Sequence, residues 1–221
     1  MTTFAILPMK SPEVGKSRLY GEIPDAQRRA LAAAMFADVL VALGRCSEIE
    51  TVVVVSSDVD TARMAAHHGA EWLDDGGVEG HSAAASLGVA HAVANGAARV
   101  LLVPGDCPAL DPVEVDAFLL EHRSPAGLVV IPDRHGTGTN ALLLCPPDAI
   151  TPAFGPGSHQ RHLGLAADAS VASKTVSISS LSLDIDTAED LVAMRDHLLG
   201  FHGGAAHTRG LLTQMAQVAV D

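Results

Sequence analysis

Short, wholly apolar runs alternate with longer helical patterns along most of this 221-residue chain. That alternation constrains the fold more than any other feature. Four consecutive valines fill 52–55, and Leu-Leu-Val fills 101–103. A strand with no polar residue must be covered on both faces, as in a parallel sheet flanked by helices. The strand-like runs are 3–8, 51–56, 100–103, 128–132, 141–145 and 175–178. Helical patterns lie between them. Residues 25–43 are Ala-rich and follow Pro24; 61–68 stop at Gly69; 82–95 stop at Gly96. Asp111-Pro112-Val113-Glu114 reads as an N-cap, a proline at the first helical position and an acid at the third, so a helix runs to about residue 122. Thr187-Ala188-Glu189-Asp190 opens a last helix, which reaches about residue 199 and stops at Gly200.

Strand–helix–strand alternation of this kind predicts right-handed crossovers and an α/β three-layer sandwich with a mostly parallel, Rossmann-like sheet. The length suits one domain, set at residues 1–199. Residues 200–221 begin rich in Gly, Ala and His and turn mildly helical over 211–220. This tail is expected to be flexible or to dock on a second subunit, as in a homodimer.

Charge narrows the function. There are 14 Lys and Arg against 26 Asp and Glu, a formal net charge of -12. Such a surface repels phosphate backbones and anionic headgroups, so neither nucleic acid nor membrane is an expected partner. A phosphorylated ligand would then need a local cationic or metal-bearing site. The only lysines are Lys10, Lys16 and Lys174, and two of them fall in one short stretch. The cysteines Cys46, Cys107 and Cys145 form no Cys-x-x-Cys pair, so neither a zinc site nor a disulfide framework is signalled. With no basic leader and no long apolar run, a reducing cytoplasmic location is expected.

In an open parallel sheet, ligands bind beyond the carboxyl ends of the strands. The first such place holds Pro8, Lys10, Ser11, Gly15, Lys16, Ser17 and Arg18. Three cations and two hydroxyls on one loop can replace the water shell of a polyphosphate. Gly15-Lys16-Ser17 resembles the end of a phosphate-binding P-loop, but Lys10 stands where that motif needs glycine. A P-loop NTPase is therefore disfavoured. Gly105-Asp106-Cys107-Pro108 follows the 100–103 run, and Asp106 there can hold a hard cation such as Mg²⁺. Cys107 is expected to be a small packing residue. Asp184 and Asp186, two apart in an extended segment, share a face and invite a cation between them.

Two further segments offer donors to an anion. Asp133-Arg134-His135-Gly136-Thr137-Gly138-Thr139-Asn140 links two strand runs, with backbone N–H groups and hydroxyls as donors or as a plain hairpin loop. Phe154-Gly155-Pro156-Gly157-Ser158 opens a helix at Ser158, and a helix N-terminus attracts anions. His159 and His162 lack a third ligand and are expected on the surface or against an anion. Trp72 is expected in the core.

Taken in order, these motifs resemble the guanylyltransferase family of deazaflavin coenzyme F-420 biosynthesis over about residues 3–199. The resemblance rests on Lys10…Lys16-Ser17-Arg18-Leu19, Gly105-Asp106-Cys107-Pro108, His135-Gly136-Thr137-Gly138-Thr139-Asn140-Ala141-Leu142, Phe154-Gly155-Pro156-Gly157-Ser158 and Asp184-Ile185-Asp186-Thr187-Ala188-Glu189-Asp190-Leu191. It implies a GT-A-like nucleotidyltransferase fold and transfer of GMP from GTP to the phosphate of a small three-carbon acid. That acid would be phosphoenolpyruvate, 2-phospho-L-lactate or 3-phosphoglycerate, and pyrophosphate would leave. It further implies nucleotide contacts at Pro8, Lys10, Ser11, Lys16, Ser17 and Ser82, and acid contacts at Thr139, Gly155 and Ser158. Mg²⁺ would sit on Asp106, Asp184 and Asp186, with Lys16, Arg18 and Asp106 as the catalytic groups. Where relatives carry a Leu-Asn-Ala-Ala-Leu-like segment, this chain has Gly80-His81-Ser82-Ala83-Ala84-Ala85, so Ser82 offers a hydroxyl in place of an amide. The competing readings are the same fold with a molybdopterin or sugar-phosphate acceptor, and a non-catalytic nucleotide-sensing module.

Overall fold

A computed structural model gives the architecture. It describes residues 1–9, 23–123, 127–182, 184, 187–200 and 204–218. Seven strands form one sheet in the order β3-β2-β1-β4-β6-β5-β7. They are β1 (Thr3–Pro8), β2 (Thr51–Val55), β3 (Glu71–Leu73), β4 (Arg99–Leu102), β5 (Gly127–Pro132), β6 (Thr139–Cys145) and β7 (Ser173–Thr175). β1 pairs parallel with β2 and β4, β2 with β3, and β5 with β7. β6 runs antiparallel to both β4 and β5, so among the described strands it alone reverses direction. The expected three-layer α/β sandwich with a mostly parallel sheet is therefore what the chain forms.

The apolar runs explain the layers. Alternate residues of each strand feed opposite cores. Ala5, Leu7, Val54, Leu101 and Leu143 pack with Phe36, Leu40 and Phe118, from α1 (Asp25–Leu43) and α4 (Pro112–Glu121). Phe4, Ile6, Val53, Val55, Leu102 and Leu142 pack with Ala85, Val89 and Ala166, from α3 (His81–Ala94) and α5 (Ser158–Asp168). α3 lies close enough to the sheet that a Cβ at Gly88 would overlap Ile6 and stand 3.0 Å from Val55. Full burial of both sheet faces is what removes polar residues from 52–55 and 101–103.

Local chemistry sets the helix ends. The Asp58 carboxylate accepts from the Thr61 amide at 2.7 Å, so α2 (Val59–His67) starts two residues earlier than its apolar pattern suggests. Asp111 caps α4 as expected, accepting from the Val113 amide at 2.9 Å. The acid at the third helical position behaves differently. Glu114 accepts from the Ser179 and Ser180 amides at 3.0 and 2.9 Å, tying α4 to the chain that leads to Asp184. α6 (Ala188–Gly200) is preceded by Thr187, whose amide and hydroxyl both donate to Asp190.

The C-terminal stretch folds back on its own chain. α7 (Ala206–Val218) sets Leu212 beside Leu31 and Met35 of α1 and Met194 and Leu198 of α6. Its first turn is closed from another helix. Asp38 of α1, 4% exposed, accepts from the His207 and Thr208 amides at 3.1 and 2.8 Å.

Two expectations need correction. Trp72 is 44% exposed, not core; it lies on the edge strand β3, with its indole N–H donating to the Ser56 carbonyl at 2.7 Å. β7 forms at Ser173–Thr175, not at 175–178, and all three residues are exposed. An edge strand covered on neither face has no reason to be apolar, so the apolar pattern pointed past it.

Candidate active site

The strand ends that the sequence singled out do meet at one rim of the sheet. Pro8 ends β1, buried, and the Met9 amide donates to the Val55 carbonyl at the end of β2 at 2.9 Å. Beyond β4 comes the Gly105-Asp106 turn. A Cβ at Gly105 would overlap the sulfur of the flexible Met9 side chain and stand 3.3 Å from Phe36, so the turn lies close against the residue that follows β1. Lys10, Ser11, Lys16, Ser17 and Arg18 of that loop lie outside the described residues, as does Asp186.

One cluster forms around the carbonyl of Leu181. Cys107, next to Asp106, is buried and points its thiol at that oxygen, 3.7 Å away. The Asn140 side-chain amide donates to the same oxygen at 2.8 Å and to the Asp184 carboxylate at 3.3 Å. Asp106 and Asp184, 78 positions apart by numbering, thus flank one shared anchor. Cys107 is the packing residue expected of it. Asn140 received no role in the sequence reading, because its partners lie more than 40 residues away. No group of three His, Cys, Asp or Glu side chains able to hold a metal occurs among the described residues.

A second cluster joins Ser82, Thr139, Gly155 and Ser158. Thr139 is the first residue of β6 and Ser158 the first of α5. Gly155 and Gly157 take φ of +115° and +71°, a backbone that favours glycine and lets the loop double back onto the helix start. The Ser158 amide donates to the Gly155 carbonyl at 3.0 Å, and Ser158 is 1% exposed. The Phe154 amide donates to the Ser82 hydroxyl at 2.8 Å, fastening the loop to the N-terminus of α3. Arg161 holds the other side, donating to the Ala153 and Pro156 carbonyls at 2.9 and 2.7 Å.

His162 sits at the centre of this second cluster. It is 0% exposed, so of its two expected places, on the surface or against an anion, the first is excluded. Its Nε2 accepts from the Ala153 amide at 2.9 Å, and its Nδ1 lies 3.0 Å from the Thr139 hydroxyl oxygen. Phe154 packs edge-on against both His162 and His81, at ring separations of 5.2 and 4.8 Å. Burial pushes the His162 pKa down to about 4, with the neighbouring charges of Arg161 and His159 adding to the shift.

The β5–β6 loop had two expected readings, donors for an anion or a plain hairpin loop, and for two of its amides the structure favours the second. The Thr137 and Gly138 amides donate to Asp133, at 3.0 and 2.9 Å. A Cβ at Gly138 would stand 2.5 Å from that carboxylate, so glycine there serves the internal turn. His159 secures the loop to α5, with ring nitrogens 3.0 Å from the Gly136 carbonyl and 2.9 Å from the Thr175 hydroxyl. Arg134 pairs with Asp190 at 2.6 Å, locking the loop to the start of α6. The donors this loop can give a ligand are thereby narrowed toward Thr139, where it meets β6.

Comparison with known proteins identifies the family. The family described as "Guanylyl transferase CofC like" matches residues 3–220. A phosphoenolpyruvate guanylyltransferase from Conexibacter woesei is 48% identical over 216 residues, covering 97% of each chain. A 3-phospho-D-glycerate guanylyltransferase from Colwellia psychrerythraea is 31% identical, covering 86% of this chain and 90% of the relative. A 2-phospho-L-lactate guanylyltransferase from Methanothermobacter thermautotrophicus is 32% identical, covering 97% and 92%. Among solved structures, a nucleotidyl transferase from the same Methanothermobacter species superposes with a TM-score of 0.63 at 16% identity, covering 90% of this chain and 98% of that one, a likeness of fold. With the family matched from the first strand through the last helix, the chain belongs to the CofC-like guanylyltransferases.

Proposed function

We propose that this protein moves GMP from GTP to the phosphate of a small phosphorylated three-carbon acid, in coenzyme F-420 biosynthesis. A phosphate oxygen of the acid attacks the α-phosphorus of GTP. The bond from that phosphorus to the β-bridging oxygen breaks, and pyrophosphate leaves. The acid is phosphoenolpyruvate, 2-phospho-L-lactate or 3-phosphoglycerate, the three acceptors named among the relatives.

One observation carries this reading. Ser82, Thr139 and the Gly155–Ser158 loop, three separate segments, belong to a single cluster tied by hydrogen bonds, and Thr139 adjoins Asn140, which holds Asp184. Residues expected at the acceptor and at the metal would thereby be neighbours along one strand. Such adjacency is what a direct transfer between two bound anions needs, because positioning replaces much of the entropy of a two-body encounter.

The nucleophile is already a phosphate anion, so no strong general base is required. The work left is orientation and neutralisation of charge. Thr139, Gly155 and Ser158 would orient the acid; Pro8, Lys10, Ser11, Lys16, Ser17 and Ser82 would hold the nucleotide. Lys16 and Arg18 would meet the charge that develops on the departing pyrophosphate. The donor set fits Mg²⁺, which takes hard oxygens and needs only one or two carboxylates beside phosphate. Asp106 and Asp184, with Asp186, would hold it, and its contribution would be neutralisation of the triphosphate.

The test is pyrophosphate release from GTP with each of the three acids in turn. Release that requires one of them supports guanylyl transfer. Phosphate release without an acceptor would mean an NTPase, and GTP binding without turnover would mean a sensor.

A further inference from the structure

We propose that His162 is a positioning residue for the acceptor acid: it fixes the Thr139 hydroxyl so that its hydrogen faces the acid's anionic group. The inference rests on the acceptor subsite proposed above, and it assigns a role to a residue outside that subsite's expected contacts.

The argument starts from a donor that cannot reverse. The Ala153 amide can only donate, and it lies 2.9 Å from Nε2 of His162. Nε2 must therefore be bare. A neutral imidazole with a bare Nε2 carries its proton on Nδ1. Nδ1 lies 3.0 Å from the Thr139 hydroxyl oxygen and so donates to it. That hydroxyl, once an acceptor from His162, has its own hydrogen left to give. Thr139 is half-buried at the site rim, with its hydroxyl held from below by a fully buried ring.

The same ring organises the rest of the subsite. Its bond to Ala153 and its edge contact with Phe154 fix the two residues that precede Gly155. The Phe154 amide in turn reaches Ser82. One side chain thus sets both the hydroxyl and the loop between which the acid would lie. The tautomer is forced by the fold, because Ala153 is locked by Arg161 as well.

The two bonds can be separated by substitution. Asparagine places an amide N–H near the position of Nδ1, whereas glutamine reaches toward the position of Nε2. His162→Asn keeps a donor for Thr139; His162→Gln keeps an acceptor for Ala153 and loses that donor. With phosphoenolpyruvate as acceptor, His162→Gln is expected to raise KM for the acid roughly tenfold or more, the scale of one hydrogen bond to a charged group. KM for GTP should hold, and His162→Asn should restore much of the loss. Equal effects of both variants on the two KM values, or none on KM for the acid, would overturn the inference. A second readout needs no turnover. The ¹⁵N shifts of His162 in the wild-type protein at neutral pH should report Nδ1 protonated and Nε2 bare, and the opposite tautomer would also overturn it. If wild type transfers GMP to none of the three acids, the functional reading fails; if it does and His162→Gln matches it, only this inference fails.

Discussion

At the residue scale, the buried imidazole of His162 has a consequence for pH. Its pKa falls to about 4 in the fold, from a usual value near 6.5. The unfolded chain therefore binds a proton between those values that the folded chain refuses. Stability then rises with pH across that window, is complete above about pH 6.5, and is lost progressively as pH falls toward 4. The full span is worth about 3 kcal/mol at most. Urea midpoints at pH 7, 5.5 and 4.5, compared with His162→Gln, should show the extra slope only in wild type. Matching slopes would mean that the ring is not held neutral. Asp106 makes a different prediction. Its place beside Cys107, anchored to the Leu181 carbonyl, lets Asp106→Asn keep the turn while losing a charge. Mg²⁺-dependent turnover should drop by roughly 10²–10³-fold, the scale seen when one charge-stabilising group is removed. The circular dichroism spectrum should be unchanged; full activity in the variant would remove Asp106 from the metal role. The residue types at the rim were legible in the sequence. Which amides were already spent was not: Asp133 takes those of Thr137 and Gly138 through a turn that glycine content alone does not announce.

At the scale of elements, the long strands and helices were legible because burial on both sheet faces leaves their centres almost wholly apolar. β1 and α1 start and end where their patterns do. The short edge strands were not. β3 reads Glu-Trp-Leu and β7 reads Ser-Lys-Thr, three residues each, with little burial to imprint a period. Helix α7 shows a related limit. Its first turn is closed by Asp38, a residue 170 positions away from Thr208, a contact that local sequence does not reveal. That long-range cap makes a prediction. Asp38→Ala removes the acceptor for the His207 and Thr208 amides and for the His207 ring, 2.8 Å from the carboxylate. Loss of a helix cap costs about 0.5–2 kcal/mol. Hydrogen exchange should quicken in α7 well before it does in β1, β2 or β4. Uniform loss of protection across the sheet would mean that α7 is part of the global folding unit instead.

At the scale of the molecule, charge and site stand in tension. The chain carries a net -12, yet the ligands proposed for it are anions. The cations of 10–18 must work within a few ångströms, while the acidic excess acts over the whole surface. Ionic strength separates the two, because screening depends on distance. The Debye length is about 30 Å at 0.01 M salt and about 8 Å at 0.15 M. At low salt the full acidic surface reaches an approaching GTP and slows its arrival. At physiological salt the distant carboxylates are screened, whereas contact pairs in the site are screened much less. The expected result is that kcat/KM for GTP rises between 0.01 and 0.15 M salt at fixed free Mg²⁺, by roughly threefold or more, within the range known for steering effects. Toward 1 M, where the Debye length is about 3 Å, even the contact cations lose strength and kcat/KM should turn down again. A monotonic fall from the lowest salt would mean that the basic loop dominates the long-range field, and that the acidic surface lies away from the path by which GTP enters.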